Sequence, residues 1–492
     1  MDIYQAIAIG LYMLLMVGIG VYAYRKSTSN VDEFLLGGRK MGAAVTALSA
    51  GAADMSGWLL MGLPGAMFVS GVSASWIAIG LTIGAFLNYV LVAPPLRVYT
   101  EKAQNAITIP DFFEKRFRDK SKMLRFISGG VILVFFTLYT SAGMVSGGKL
   151  FESAFGMDYS SGLWLTSSVV VIYTFLGGFL AVSLTDFVQG TIMVLALVLV
   201  PLVVVMNLGG AGPVFDTIRL ADPKYLSFFE GTTTIGIISL MAWGLGYFGQ
   251  PHILVRFMAI DTVRQLRSAK RIGITWMVFT VCGAMLVGLV GIAYISSNKL
   301  TIADPETIFI FFSRTLFHPL IGGFLLSAIL AAVMSTISSQ LLVTSSSLTE
   351  DFYKAFFRRG ASAKELLLIS RLSVFAVALV SLLLSFNPKE SILELVGHAW
   401  AGFGSAFGPL ILLSLLWRGT TRNGAVAGML VGGITVLLWV YLDHPYKEVY
   451  SMIPGFGLSL LSIVIVSSAG GRPAPEVQQE FDEVKQELKE TY

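Results

Sequence analysis

Apolar runs of roughly 20 residues, each long enough to cross a bilayer as a helix, recur along almost the whole of this 492-residue chain. That recurrence leaves few folds open. Inside lipid every backbone N–H and C=O must be paired within the protein, so a spanning segment is a helix or part of a closed barrel. Runs this long are helical. Charged residues make up 13% of the chain, about half the share found in an ordinary soluble domain. The expected class is an all-α polytopic membrane protein with little mass outside the bilayer.

Hydropathy divides the chain into about thirteen spans, at 3–23, 43–70, 74–95, 126–151, 160–182, 186–208, 233–256, 272–296, 318–348, 366–386, 391–417, 423–442 and 449–469. The fifth and sixth are split near Thr185–Asp186. One face of this layout collects 27 of the 34 basic residues, counting Arg256 and Arg371 near the ends of their spans. The other face has 7: Lys149, Arg219, Lys224, Lys299, Arg314, Lys389 and Lys447. Basic connections stay cytoplasmic, so the N-terminus is expected outside a cell membrane and the C-terminus inside, which requires an odd number of spans. The first apolar run has no basic stretch before it and Arg25 and Lys26 after it, the pattern of a retained span rather than a signal peptide. Residues 1–470 read as one transmembrane domain and 471–492 as a polar cytoplasmic tail. In that tail Phe481, Val484 and Leu488 have the spacing of a short, solvated amphipathic helix.

Several chemistries find no support. Cys282 is the single cysteine, so there is neither an intrachain disulfide nor a thiolate metal site. The four histidines lack metalloprotease spacing, and no nucleophile–base set marks an enzyme. A G-x-x-x-x-G-K-[ST] loop, which would point to ATP-driven pumping, is missing from the sequence. The basic residues are scattered over loops, a poor match to nucleic acid. The pattern implies contact with membrane lipid and points to no obligate protein partner.

Asp54 is the most informative single residue. It interrupts the apolar segment 43–70, and an ionisable group at that depth normally faces the protein interior and marks an ion or substrate path. Gly51, Gly57, Gly62, Gly65 and Pro64 surround it, so a helix break there would free carbonyls beside the carboxylate. A second segment, 233–256, is interrupted alike by Gly244, Gly246, Gly249 and Pro251, interleaved with Trp243, Tyr247 and Phe248. Small residues alone would serve close helix packing. A matched pair of broken segments five spans apart instead predicts a secondary transporter built from a 5+5 inverted repeat with two broken helices. The two repeats would occupy about 43–208 and 233–417. The ninth span adds a run of hydroxyls that includes Ser335 and Thr336. Such hydroxyls often bond back to their own helix. Two adjacent ones, with carbonyls freed at the Asp54 break, would also make an oxygen cage for a hard cation.

Nine stretches resemble, in order and spacing, the solute:sodium symporter family over about residues 3–470. They are FLLGGR (34–39), TALSAGAADMSGWLLMGLPGA (46–66), ESAFGM (152–157), GGFLAVSLTD (177–186), SLMAWGLGYFGQPHILVRFMA (239–259), SAILAAVMSTISSQLL (327–342), TEDFYKAF (349–356), AWAGFGSAFGP (399–409) and TRNGAVAGM (421–429). The match is closest to the family's proline-carrying members. The resemblance implies a LeuT-type fold and import of L-proline coupled to inward movement of Na+, the co-transported ion. It implies a sodium site formed by Ala52, Met55, Ala332, Ser335 and Thr336. It places proline at Ser56, Gly57, Trp243, Tyr247 and Pro251, with Tyr139 nearby. It links Asp54, Arg39 and Asp186 to coupling. Alternatives from the residues themselves are another small solute on the same fold, or proton-coupled uptake through Asp54.

Overall fold

The computed structural model describes residues 2–26 and 31–492. Among them regular structure is helical apart from one isolated bridge between Met41 and Ile260. Among the described residues ten helices are long and apolar enough to cross a membrane. Large apolar side chains such as Leu14, Leu195, Phe279 and Leu383 sit exposed on the outer surface, where lipid costs them nothing.

The helices Pro319–Ser346 and Ile392–Leu416 are buried over most of their length. A helix that is apolar all round belongs in such a place. In Pro319–Ser346 the hydroxyls do not spoil this, because most fold back onto their own turn. Ser327 donates to the Gly323 carbonyl, Thr344 to Gln340 and Ser346 to Leu342, the i−4 bonding open to serine and threonine in helices.

Both expected interruptions are present. Helix Ala43–Asp54 stops where Met55 leaves the helical region (φ −78°, ψ 76°). The chain then widens through Trp58–Gly62 and resumes as Leu63–Ser70, with Pro64 at its first turn. The second segment runs as Thr234–Met241, tightens into a 3₁₀ stretch over Ala242–Gly249, and turns at Gln250 (φ −85°, ψ 105°) into Pro251–Ala259. Proline suits that last start, since a first-turn N–H has no helical partner to lose. The far ends of the two segments are tied together. The Met41 amide donates to the Ala259 carbonyl (3.1 Å) and the Asp261 amide to the Met41 carbonyl (3.0 Å).

Three sequence-based expectations need correcting. The run Tyr159–Asn207 breaks at Gly178 (φ 56°, ψ −145°), not near Thr185–Asp186. Only glycine adopts that backbone easily, and a Cβ there would also come within 2.5 Å of the Phe34 ring. Arg256 is not a loop charge: it is 1% exposed, inside Pro251–Ala259. The tail forms the helix Pro475–Thr491, but it is not simply solvated. Val477, Phe481 and Val484 are buried, and Glu480, Asp482 and Glu483 pair with Arg118, Arg418 and Lys102.

Candidate functional site

The first break lies against the hydroxyl-rich helix. Ser335 Oγ donates to the Ala52 carbonyl at 2.7 Å and lies 3.1 Å from the Ala332 carbonyl, while Thr336 Oγ1 donates to the same Ala332 oxygen at 3.1 Å. Ala52, Ala332, Ser335 and Thr336 are therefore joined oxygen to oxygen, and Met55 is the non-helical residue of the break itself. A hydroxyl can rotate its proton away and offer lone pairs, so these oxygens can turn from one another to a small cation. Among the described residues no group of three His, Cys, Asp or Glu could hold a metal ion. The donor set here, carbonyls and hydroxyls, suits a hard cation and not a soft one.

Asp54 ends its helix, buried, and its Oδ2 accepts a hydrogen bond from the Tyr247 hydroxyl. Its Oδ1 has no hydrogen-bond partner among the described residues. Its carbonyl accepts from Trp58 Nε1 at 3.3 Å. The carboxylate thus links the first break to the second.

Of the residues expected around the solute, Ser56 and Gly57 follow the first break. Gly57 faces the Met123–Phe155 helix, where an added Cβ would lie 2.3 Å from Ser146 Oγ. Tyr139 on that helix is fully buried and edge-on to His252 at 6.1 Å. The Ser56 and Tyr139 hydroxyls lie within hydrogen-bonding reach of each other. In the second segment Trp243 stacks on Tyr450 (5.1 Å, 10° between planes), and Tyr247 stands edge-on to Trp400 at 5.2 Å. Trp400 Nε1 donates to the Trp243 carbonyl at 2.8 Å. Pro251 opens the half-helix beyond. Trp243 also borders a cavity of about 340 Å³ shared with Gly397, His398 and Lys447.

Arg39 and Asp186 lie outside this group. Arg39, in a left-handed turn (φ 54°), donates to the carbonyls of Met258 (2.6 Å) and Ala106 (2.7 Å) and to Asn105 Oδ1 (2.9 Å). It therefore clamps the entrance of the first broken segment to the exit of the second. Asp186 is inside a helix and caps nothing. Its Oδ2 accepts from Ser49 (2.7 Å) and pairs with Arg256 (3.3 Å). Arg256 also donates to Ser339 Oγ at 2.6 Å, Ser49 Oγ at 3.1 Å and the His252 carbonyl at 2.7 Å. Sequence reasoning missed Arg256 and Ser49 in this buried network. The available signal was an arginine still inside an apolar stretch, ILVRFMA.

With ten helices able to cross a bilayer, the chain is a multi-pass membrane protein. It is 58% identical over 490 residues to the Osmoregulated proline transporter OpuE of Bacillus subtilis (strain 168), covering 99% of both chains. It is 59% identical over 468 residues to the High-affinity proline transporter PutP of the same organism, covering 95% of this chain and 98% of that one. Its fold matches a Na+-coupled sialic acid symporter solved in a substrate-bound, outward-open state, with a TM-score of 0.82 at 19% identity over 96% of this chain and 99% of that chain. The model of the sodium:solute symporter family matches residues 34–432. On that match, and on identities near 60% over nearly full length, the chain belongs to the sodium:solute symporter family, whose members are transporters and not enzymes.

Proposed function

We propose that this chain is a secondary active symporter that imports L-proline together with Na+ by alternating access. The observation that carries the reading is the contact across the first break: Ser335 Oγ lies 2.7 Å from the Ala52 carbonyl, with Ala332 and Thr336 alongside. Proline as the solute rests on relatives at 58% and 59% identity that are named proline transporters.

In this reading Na+ takes the oxygens of Ala52, Met55, Ala332, Ser335 and Thr336 and fastens the first broken segment to the helix Pro319–Ser346. Proline is a compact zwitterion. Its carboxylate is held by amides freed at the break, near Ser56 and Gly57, where a half-helix N-terminus favours negative charge. Its ring lies against Trp243 and Tyr247, with Pro251 and Tyr139 closing the site. Asp54 couples the two occupants through Tyr247. Asp186 and Arg39 hold the moving segments to their neighbours. Binding of one solute raises affinity for the other, and the effect is reciprocal.

The ten long helices become thirteen spans when the runs 58–102 and Tyr159–Asn207 are each divided, the first sharing a span with Ala43–Asp54, and 234–259 is counted as one more. Spans 2–6 and 7–11 then form the inverted repeat, within a domain of residues 1–470 followed by the tail 471–492. The N-terminus is outside the cell membrane and the C-terminus is cytoplasmic, from the bias of basic residues to one face. Lipid covers the outer helices, and no other macromolecule is required.

The test is uptake of labelled L-proline by the purified protein in liposomes, with and without an inward Na+ gradient at fixed pH. Accumulation above equilibrium only with the gradient is the expected result. Equal uptake from a proton gradient alone, or equilibration without accumulation, would overturn the reading.

A further inference from the structure

A narrow cavity opens beside Asp54, lined by Gly51, Asp54, Asn88, Tyr89, Tyr247 and Met277 among others. Its volume is about 30 Å³, space for a water-sized particle and too little for a proline ring. Three polar groups on it have no hydrogen-bond partner among the described residues: Asp54 Oδ1, both ends of the Asn88 amide, and the Tyr89 hydroxyl. Asn88 is 1% exposed, Asp54 1% and Tyr89 6%. Buried polar atoms are nearly always paired, and an unpaired set calls for an explanation.

The chain builds this position deliberately. Gly80, Gly84 and Asn88 recur every four residues and so share one helix face. That face lies directly on the second broken segment: a Cβ on Gly84 would come 2.1 Å from the Gly244 carbonyl oxygen, and one on Gly80 2.4 Å from that of Met241. Asn88 is the next position on the same face and looks onto the Asp54 cavity. Pro94 and Pro95 then remove the amides that would bond the Val90 and Leu91 carbonyls. The helix widens into a π-type turn over Asn88–Val92, a distortion common at functional sites.

We propose that the Asn88 side-chain oxygen, Asp54 Oδ1 and the hydroxyls of Tyr89 and Tyr247 form a second, transient station for the transported monovalent cation. It lies between the Ser335–Thr336 cage and the face that carries the basic loops. The lining residues point the same way: Ala47, Phe257 and Gly273 belong to those ends of their helices that join basic connections. All four ligand atoms are oxygens, as a hard cation requires. Asn88 supplies a neutral oxygen where a second carboxylate would hold the ion too firmly to let it go. The proposal rests on the Na+-coupled reading above.

Asn88→Leu keeps the branched heavy-atom skeleton and removes the amide's polar atoms. The uptake rate in liposomes under a Na+ gradient is expected to fall about tenfold, the effect of 1.4 kcal/mol on a barrier. Na+-dependent binding of labelled L-proline to the solubilised variant is expected to stay within about twofold of the parent, since the cage is intact and loss of one cage oxygen would itself cost about fivefold. Asn88→Asp is expected to bind proline normally but to be inhibited by internal Na+ at about one tenth the concentration needed for the parent. Asn88→Ser retains an oxygen and should recover part of the Asn88→Leu loss. The station is wrong if Asn88→Leu transports at more than half the parent rate, if its Na+-dependent proline binding falls in step with uptake, or if Asn88→Asp responds to internal Na+ like the parent. A parent protein without Na+-driven proline uptake would overturn the underlying reading and the station with it. A normal parent with an unaffected Asn88→Leu overturns the station alone.

Discussion

At the first interruption the helix ends over two residues, Met55 and Ser56; at the second it tightens for eight, Ala242–Gly249, before turning at Gln250. The first is polar and is fastened by hydrogen bonds, from Ser335 to the Ala52 carbonyl and from Tyr247 to Asp54. The second is aromatic and fastened mainly by packing, with one hydrogen bond from Trp400 Nε1 to the Trp243 carbonyl. Gly244 lies against Gly80 and Gly84, Gly246 against Trp400, and Trp243 against Tyr450. A hydroxyl bond can be exchanged for a cation contact by rotating one O–H. A glycine face jammed against another backbone has no such alternative. The difference assigns the roles in the proposed cycle: the first interruption is where ion binding changes the structure, and the second is a wall that travels with it. The tie between their far ends, through Met41, Ala259 and Asp261, keeps the two in step.

Asp54 offers the largest effect with which to break this comparison. It is the sole carboxylate in either interrupted segment. Asp54→Ala should lower Na+-driven proline uptake at least about 100-fold, equivalent to about 2.7 kcal/mol, measured as initial rate in liposomes. Retention of more than a tenth of the activity would mean the first interruption is not the electrostatic centre. Replacing both Ser335 and Thr336 by Ala comes next. Each lost oxygen is worth about 1 kcal/mol, so losing both should raise the Na+ concentration for half-maximal uptake about 30-fold. The proline concentration for half-saturation, taken at saturating Na+, should stay put; if it moves instead, the cage has been placed at the wrong interruption. Trp243→Ala reverses the pattern. Loss of one aromatic wall costs roughly 1–1.5 kcal/mol of solute contact, so proline half-saturation should rise about tenfold with Na+ dependence nearly unchanged.

What was legible in the sequence follows the range of the forces involved. Asp54, the Gly/Pro interruptions and the Ser335–Thr336 pair are local patterns, and helices of the expected kind formed around each. The Asp186–Arg256 pair was not legible. An arginine near the end of an apolar run looks like a charge reaching for the interface, and only the arrival of Ser49, Asp186 and Ser339 from three other segments turns it into an interior group. Hydropathy also misplaced the break in Tyr159–Asn207. It dips at the polar pair Thr185–Asp186, whereas the backbone turns where conformational freedom allows, at Gly178. The tail shows the same limit. Its helical period is in the sequence, but the basic partners come from two distant connections, Lys102 and Arg118 from one and Arg418 from another.

The finest test concerns the one hydroxyl that joins the two interruptions. Tyr247→Phe leaves the ring beside Trp400 and removes the donor to Asp54. A hydrogen bond to a charged group is worth about 1.5–3 kcal/mol. Here the adjoining cavity can admit a water to take its place, so the net loss should be smaller, about 1 kcal/mol, or about fivefold. If Tyr247 couples the sites, reciprocity requires the equilibrium dissociation constants for proline and for Na+, each measured with the other ligand saturating, to move by the same factor. A shift confined to proline would make Tyr247 plain wall, like Trp243. A shift confined to Na+ would make it part of the ion site and erase the division of labour. A double-mutant cycle with Asp54→Asn separates these cases, because residues that act through each other give non-additive losses. In the pair, Tyr247→Phe should add little to what Asp54→Asn has already removed.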